Sequence, residues 1–321
     1  MSEILKYRIP GNPRISQTGN FRELKSIREA NGFVISSYLN DKFFEFSPST
    51  APFSSANFNC VEPSVIDKEK YLIVAKSFLD SIVEKKIKKA VLSRIKKVPF
   101  DENKINDLFD ALCDAYPTAF VYLISGLEVG TWIGASPETL LHVSANSAFT
   151  MSLAGTKPLS KKATAWGEKE QREQAYVTDF IEEKIRAQGI ENLEIIGPYD
   201  LEAGPVLHLR TDINFDIENQ KSIDIALKLH PTPAVSGLPQ KESIDLINSK
   251  ELHDREFYAG MIGLIAQHST SLYVNLRCCQ IQKGNAYLYL GGGYTADSVP
   301  ELEWEETENK SRTLLNIIET L

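Results

Sequence analysis

Cysteine is scarce in this sequence, and the few cysteines follow no metal-binding or redox pattern. Of the 321 residues, four are cysteines (Cys60, Cys113, Cys278 and Cys279), and they form no CxxC spacing. This argues against a thiolate zinc site and against a redox dithiol. Cys278 and Cys279 lie in an alternating run and are predicted to face opposite sides of a strand. We expect reduced, mostly buried thiols, as in cytoplasmic proteins.

Excess positive charge, long apolar runs and histidine motifs are also lacking. Lysine and arginine number 35 against 43 acidic residues, a formal net charge of −8, which argues against general nucleic-acid binding. No apolar run reaches the roughly 18 residues that span a bilayer, and the first residues do not resemble a signal peptide. The five histidines form no HExxH motif. We therefore expect a small molecule as the partner, and neither nucleic acid nor a membrane.

The apolar pattern alternates between helical and strand-like stretches. Apolar residues recur at helical spacing in several segments, and short β-branched or alternating runs between them indicate strands. The predicted helices cover residues 68–86, 105–116, 166–188, 221–230 and 241–250, and a last one ends at Leu321. Grouped strands with interspersed helices indicate an α+β protein, with antiparallel sheets and helices on their outer faces. No linker divides the chain, so we predict one domain over residues 1–321.

Two predicted helices carry glutamates where their buried stripes should continue. In the helix over 166–188 the apolar stripe includes Val177, and stepping back by four and then three residues gives Glu173 and Glu170. In the last helix the same extension reaches Lys310 and then a second E-x-x-E pair. That pair is Glu303 and Glu306.

Carboxylates on an inward face need a positive charge nearby, because burying an unpaired charge is very costly. A divalent cation would supply it, and carboxylate oxygens are ligands that suit Mg²⁺. The three glycines before the last helix, Gly291, Gly292 and Gly293, are interpreted as a flexible loop whose N–H groups would bind an anion next to the metal. The alternative is two acidic helix N-termini stabilised by the helix dipole. Both interpretations remain open on this pattern.

The stretch GGGYTADSVPELEWEETENK (291–310) resembles the C-terminal motif of chorismate-utilising enzymes. Seven further stretches agree with that family in order: KAVLSR (89–94), GASPETLL (134–141), LAGT (153–156), EQAYV (173–177), HPTPAVSGLP (230–239), DREFYAGMIG (254–263) and NLRC (275–278). Residues 1–65 carry no such motif, whereas 66–321 are the motif-bearing part. The resemblance implies two stacked antiparallel β-sheets flanked by outer helices.

The resemblance also implies roles for individual residues. It assigns Mg²⁺ to Glu173 and Glu306, with Glu170 and Glu303 as their companions. The substrate contacts that it implies come from cationic, glycine and ring-contacting positions: Arg277, Lys310, Gly155, Thr156, Gly291, Gly292, Gly293 and His230. His230 stays open between a structural role and a substrate contact.

Three positions distinguish among members of the family. The lysine matching Lys89 acts as general base on water in isochorismate-forming enzymes, and strand alternation lets only one of Lys88 and Lys89 point inward. Glu138 matches the general acid that protonates the C4 hydroxyl of chorismate as it leaves. Ala154 stands where aminodeoxychorismate synthases have a nucleophilic lysine, so that reaction is disfavoured.

The predicted function is Mg²⁺-dependent isomerisation of chorismate to isochorismate. Isochorismate feeds menaquinone or catechol-siderophore pathways, and we favour menaquinone. The alternatives are a salicylate synthase, which also eliminates pyruvate, and a non-catalytic homologue that only binds a ligand or partner. No glutamine amidotransferase segment is attached, so we expect a cytoplasmic monomer without an amidotransferase subunit.

Overall fold

The computed structural model describes residues 3–50, 61–203, 206–217 and 221–321. Cys60 lies outside these ranges, and the cysteines within them, Cys113, Cys278 and Cys279, are free and buried. Within these ranges, no helix is both long and apolar enough to cross a membrane.

The regular elements of these ranges follow the predicted alternation of helices and strands. The helices are α1 (Lys68–Glu84), α2 (Ile105–Ala115), α3 (Glu168–Arg186), α4 (Ser222–Leu229), α5 (Gln240–Lys250) and α6 (Pro300–Ile318). The strands are β1 (Glu3–Arg8), β2 (Ile15–Leu24), β3 (Phe33–Ser36), β4 (Phe43–Pro48), β5 (Lys89–Pro99), β6 (Phe120–Gly126), β7 (Gly130–Ser136), β8 (Thr139–Ser144), β9 (Ser147–Pro158), β10 (Leu193–Ala203), β11 (Val206–Asp216), β12 (Gly237–Leu238), β13 (Met261–Ala266), β14 (Ser269–Val274), β15 (Cys278–Gln282) and β16 (Asn285–Tyr294).

The strands pair into one continuous series. Its order is β10-β11-β9-β8-β14-β13-β3-β4-β2-β1-β6-β7-β15-β16-β5-β12. Each pairing is antiparallel, and strands β1 to β4, from the segment without motifs, lie in the middle of the series. The N-terminal segment therefore joins the two motif-bearing groups of strands.

The two halves of this series pack face to face. Phe120 of β6 stacks on Tyr273 of β14 with ring centroids 4.4 Å apart, although β6 and β14 are not neighbours in the order. The rings of Tyr7 of β1 and Phe33 of β3 also meet, tilted by 33° with their centroids 5.8 Å apart. The α+β fold with two stacked antiparallel layers is confirmed, and the layers are halves of one hydrogen-bonded series.

Helices cover the outer faces and create a second core. Under α2 and α6 a cluster of apolar side chains includes Leu112, Cys279 and Leu314, while Cys278 belongs to the core between the layers. The prediction that the two adjacent cysteines face opposite sides of a strand is confirmed. Helix α3 lies on β9 and β11, and α6 lies on β16.

The three glycines predicted as a flexible loop are part of strand β16. Gly291, Gly292 and Gly293 pair with Ser93, Leu92 and Val91 of β5. A Cβ atom on Gly293 would lie 2.4 Å from Glu173 Oε1. The strand pattern of AYLYLGGGY (286–294) is confirmed. The flexible-loop interpretation of its glycines was wrong, because they allow a helix side chain to pack closely on the strand rather than form a turn.

Gly237 of β12 packs closely against β5, and substituting it tests this packing. It has φ +149°, and a Cβ atom there would lie 2.1 Å from the carbonyl oxygen of Lys89. Gly237→Ala should lower the free energy of unfolding by about 3 kcal/mol or more, since strain and overpacking add. Urea denaturation measures this.

Gly11→Ala is the matched control. Gly11 also has a positive φ, +77°, but no heavy atom lies within 4 Å of its added Cβ. Gly11→Ala should lower the free energy of unfolding by roughly 1–2 kcal/mol, the cost of placing a non-glycine residue in the left-handed conformation. Equal losses in the two variants would contradict the packing assigned to Gly237.

Candidate active site

A cavity with an empty volume of about 660 Å³ lies between the strand series, α3 and α6. Eight of the residues singled out in the sequence line it: Glu138, Gly155, Thr156, Glu173, Arg277, Gly291, Gly293 and Lys310. Residues from distant parts of the chain therefore converge on one space that holds both acidic and basic groups.

Lys89 lies directly behind the cavity wall. Its side chain is 1% exposed, and Nζ lies 2.9 Å from Glu173 Oε1. The contact is an ion pair. Lys88 is exposed, with Nζ 5.7 Å from the centre of the Tyr176 ring. The predicted alternation is confirmed: Lys89 points inward and Lys88 outward.

Glu173 stays ionised although it is enclosed. Burial alone would raise the pKa of its carboxyl, but the ammonium groups of Lys89 and Lys169 outweigh this and hold the pKa below its usual value. Glu173 comes from α3, where Val177 continues the same buried stripe.

Glu138 is a second buried carboxyl on the cavity wall, between β7 and β8. Burial raises its pKa to about 7, partly opposed by the Lys89 ammonium and by a 3.4 Å hydrogen bond from Thr232 Oγ1. A carboxyl with this pKa carries a proton in part of the population at neutral pH. It is therefore able to donate that proton to a ligand.

Arg277 presents a guanidinium to the cavity without a carboxylate partner among the described residues. It has φ +50° in the short break between β14 and β15. Its Nη1 donates to Lys310 O and Thr313 Oγ1, both at 3.2 Å, and burial lowers its pKa to about 10. A buried cation of this kind is suited to an anionic ligand.

His208 orients Arg277 and was missed in the sequence. Its Nδ1 lies 3.1 Å from Gly155 O, which can only accept, so Nδ1 carries the proton and Nε2 accepts from Arg277 Nη2 at 3.0 Å. Burial and then the Arg277 charge lower the pKa of His208 well below its usual value. No local pattern marks His208, because Arg277 lies 69 positions away.

Gln174 joins α3 to the strand beneath it. Its Oε1 accepts from Ala154 N at 2.8 Å, and its Nε2 donates to Ser152 Oγ at 2.8 Å and Thr211 Oγ1 at 3.1 Å. Ala154 precedes Gly155, where the β9–β11 pairing is irregular and φ is +64°. This buried amide thereby fixes the helix that carries Glu173.

The remaining predicted residues lie outside this cavity. Gly292 faces Glu303 on the other side of β16, and His230 Nε2 lies 3.0 Å from Tyr38 O, to which it donates. Glu170 lies close to Gly167 at the start of α3.

A second cavity adjoins the first at Thr156 and contains the other carboxylates. Glu170, Glu303 and Glu306 line it. Glu303 accepts from Ser298 Oγ at 2.8 Å and from Lys169, while its Oε2 is buried without a partner. Burial and the neighbouring Glu306 raise the pKa of Glu303 to about 7.

The carboxylates suit a hard divalent cation in chemistry but are not assembled around one. The buried Oε2 of Glu303, which has no hydrogen-bond partner, and the carboxylates of Glu173 and Glu306 are oxygen donors of the type Mg²⁺ takes. Within the described part of the chain, no group of three or more His, Cys, Asp or Glu side chains is placed to hold a metal ion. Glu306 instead pairs with Lys310 at 2.7 Å.

Comparisons with known proteins match most of the chain. The family model described as "Chorismate binding enzyme" matches residues 34–319. The isochorismate synthase MenF of Bacillus subtilis is 30% identical over 265 residues, 79% of this chain and 56% of that protein. The isochorismate synthase EntC of Escherichia coli (strain K12) is 29% identical over 244 residues, 72% of this chain and 62% of that protein. The chain thus spans about three fifths of the length of these relatives.

A solved structure shares the fold along almost the whole chain. It is that of a Bacillus anthracis protein described as a 2,3-dihydroxybenzoate-specific isochorismate synthase, DhbC. The TM-score is 0.83 at 24% identity, and the match covers 99% of this chain and 96% of that one.

The raised pKa of Glu138 predicts how stability depends on pH. Between pH 4.5 and about 7 the native state holds this proton while the unfolded state has lost it, so Glu138 lowers stability as pH rises through that window. The free energy of unfolding of Glu138→Gln, relative to that of the parent, should therefore rise by on the order of 3 kcal/mol from pH 5 to pH 8. Urea denaturation of both proteins at the two pH values measures this, and an unchanged difference would contradict the shift.

Proposed function

The chain belongs to the chorismate binding enzyme family, and on that premise we propose that it is an isochorismate synthase. The observation that carries the proposal is the cavity itself. A carboxyl with a pKa of about 7 and a guanidinium without a carboxylate partner among the described residues line it, and the buried Lys89 lies directly behind its wall. Chorismate is a ring with two carboxylates, so the cavity offers acid, base and anion binding to such a substrate.

Lys89 is proposed as the base that takes a proton from the attacking water at C2. Lys89 Nζ is paired with Glu173 Oε1 at 2.9 Å in the structure. Base action therefore requires that Glu173 turn to another partner. Because Lys89 is enclosed on a strand of the sheet, its position relative to the ring is fixed before the reaction.

Glu138 is proposed as the acid at C4. Its proton goes to the departing hydroxyl, which leaves as water while the ring double bonds shift. The hydroxyl gained at C2 and the hydroxyl lost at C4 balance, so no oxidant or reductant is needed. Solvent returns the proton from Lys89 to Glu138 between turnovers.

Arg277 and Lys310 are proposed to bind the substrate carboxylates. Both line the cavity, and His208 and Gly291 O hold their charged groups at 3.0 Å and 2.8 Å. Gly155 and Thr156 lie on the same wall and are proposed to contact the ring hydroxyl.

Mg²⁺ is proposed as the cofactor, held by Glu173 and Glu306 with Glu303 beside them. When bound, it would neutralise these carboxylates and bind a substrate carboxylate. The partnerless Glu303 Oε2 supports a cation here. Glu170 lies toward the helix start, so we assign it no direct contact.

The wider setting is also a proposal. We propose a monomer in the cytoplasm that acts without an amidotransferase subunit and serves menaquinone synthesis. Free buried cysteines in the described residues support a reducing compartment, and similarity to MenF of Bacillus subtilis supports the pathway.

Product analysis tests the activity. The purified chain should convert chorismate to isochorismate with Mg²⁺, and an excess of EDTA should remove the activity; chromatography with and without ammonium resolves the products. Salicylate with pyruvate would identify a salicylate synthase, anthranilate would contradict Lys89 as a water-activating base, and no product would favour a homologue that only binds.

Lys89→Met tests the base. It should lower kcat by at least about 100-fold, the contribution expected of general base catalysis, while chorismate binding in the presence of Mg²⁺ persists in calorimetry. Lys88→Met is the control, because Lys88 is exposed on the other side of the chain. Parent-like turnover by Lys89→Met would remove Lys89 from the mechanism.

A further inference from the structure

Three carboxylates near the cavity each pair with a lysine. The pairs are Glu173 with Lys89, Glu306 with Lys310 and Glu303 with Lys169. These lysines neutralise the charge that a divalent cation would also neutralise. A cation that enters the site must therefore replace at least one of them.

Lys169 is the lysine whose release disturbs the fewest contacts. Lys89 is 1% exposed, and Lys310 also donates to Gly291 O at 2.8 Å. The Lys169 side chain is 25% exposed, lies in the first turn of α3 and makes its hydrogen bond to Glu303.

Lys169 also has space to move. It lines the cavity that contains Glu303 and Glu306, and it lines a neighbouring cavity of about 680 Å³. Arg172 and Asp297 border that neighbouring cavity. A change of side-chain rotamer therefore moves the ammonium from one space to the other without movement of the helix.

The ammonium of Lys169 lies against Glu303, in a place that a bound cation would also take. Glu303 Oε1 meets the ammonium while Oε2 has no partner. The ammonium occupies one side of a carboxylate that is otherwise open to a metal.

We propose that Lys169 is a built-in counter-ion that competes with the divalent cation for Glu303. Metal binding then requires the ammonium to leave, and Lys169 sets the affinity of the site. This inference rests on the proposed Mg²⁺ site.

The test is calorimetric titration of the EDTA-treated full chain with MgCl₂, without substrate. Lys169→Gln should bind Mg²⁺ roughly three- to tenfold more tightly than the parent, as expected for the loss of a competing, partly screened ion pair. Lys169→Arg keeps the charge and should stay within about twofold of the parent. Lys161→Gln is the matched control, since it removes the charge of an exposed lysine at the rim of the same cavity.

Thermal unfolding gives a second readout that also reports folding. Without metal, Lys169→Gln should melt below the parent because Glu303 loses its partner, and MgCl₂ should raise its Tm by more than that of the parent or of Lys161→Gln. Equal or weaker Mg²⁺ binding by Lys169→Gln would overturn the competition while leaving the metal site intact. Absence of Mg²⁺ binding in all variants would overturn the competition and the metal site together, whereas product analysis judges the isomerase separately.

Discussion

Negative charge buried between α3, α6 and β16 is the constraint on which the rest of the site depends. Unpaired carboxylates at this depth would cost several kcal/mol each, so the helices can pack on the sheet only if cations accompany them. Lys89 from the sheet and Lys169 and Lys310 from the helices meet that requirement. The stability of the fold and the chemistry of the cavity are therefore coupled through the same ion pairs.

Strand β5 connects the buried charges of the site to the rest of the protein. Its first residue is Lys89, and a buried pair, Glu251 and Arg255, holds the strand further along. Arg255 donates to Val91 O at 2.8 Å, while Glu251 accepts from Ser93 N at 2.6 Å. The strand that carries Lys89 is thus held by Glu251 and Arg255, neither of which lines the cavity. Such support gives a flexible side chain a defined position.

Local periodicity was enough to predict the helices, the inward glutamates and the alternation of Lys88 and Lys89, because helix and strand spacing are encoded over a few residues. It also predicted a strand over AYLYLGGGY (286–294), but it did not predict that Gly291 to Gly293 make room for a helix packed against that strand. His208 and Lys169 were also missed, since their partners are distant in sequence. The segment before residue 65 lacks motifs, yet its strands complete the sheet through pairing that only the fold reveals.

Strand β10 forms one edge of the sheet. An edge of eleven residues offers unpaired backbone groups to any neighbouring molecule, and Ile195, Ile196 and Tyr199 are exposed there. Its pairing with β11 is interrupted between Ile196 and Tyr199, where Pro198 has no N–H to donate. The interruption divides the edge into two short pieces, and short, irregular edges limit edge-to-edge pairing between molecules.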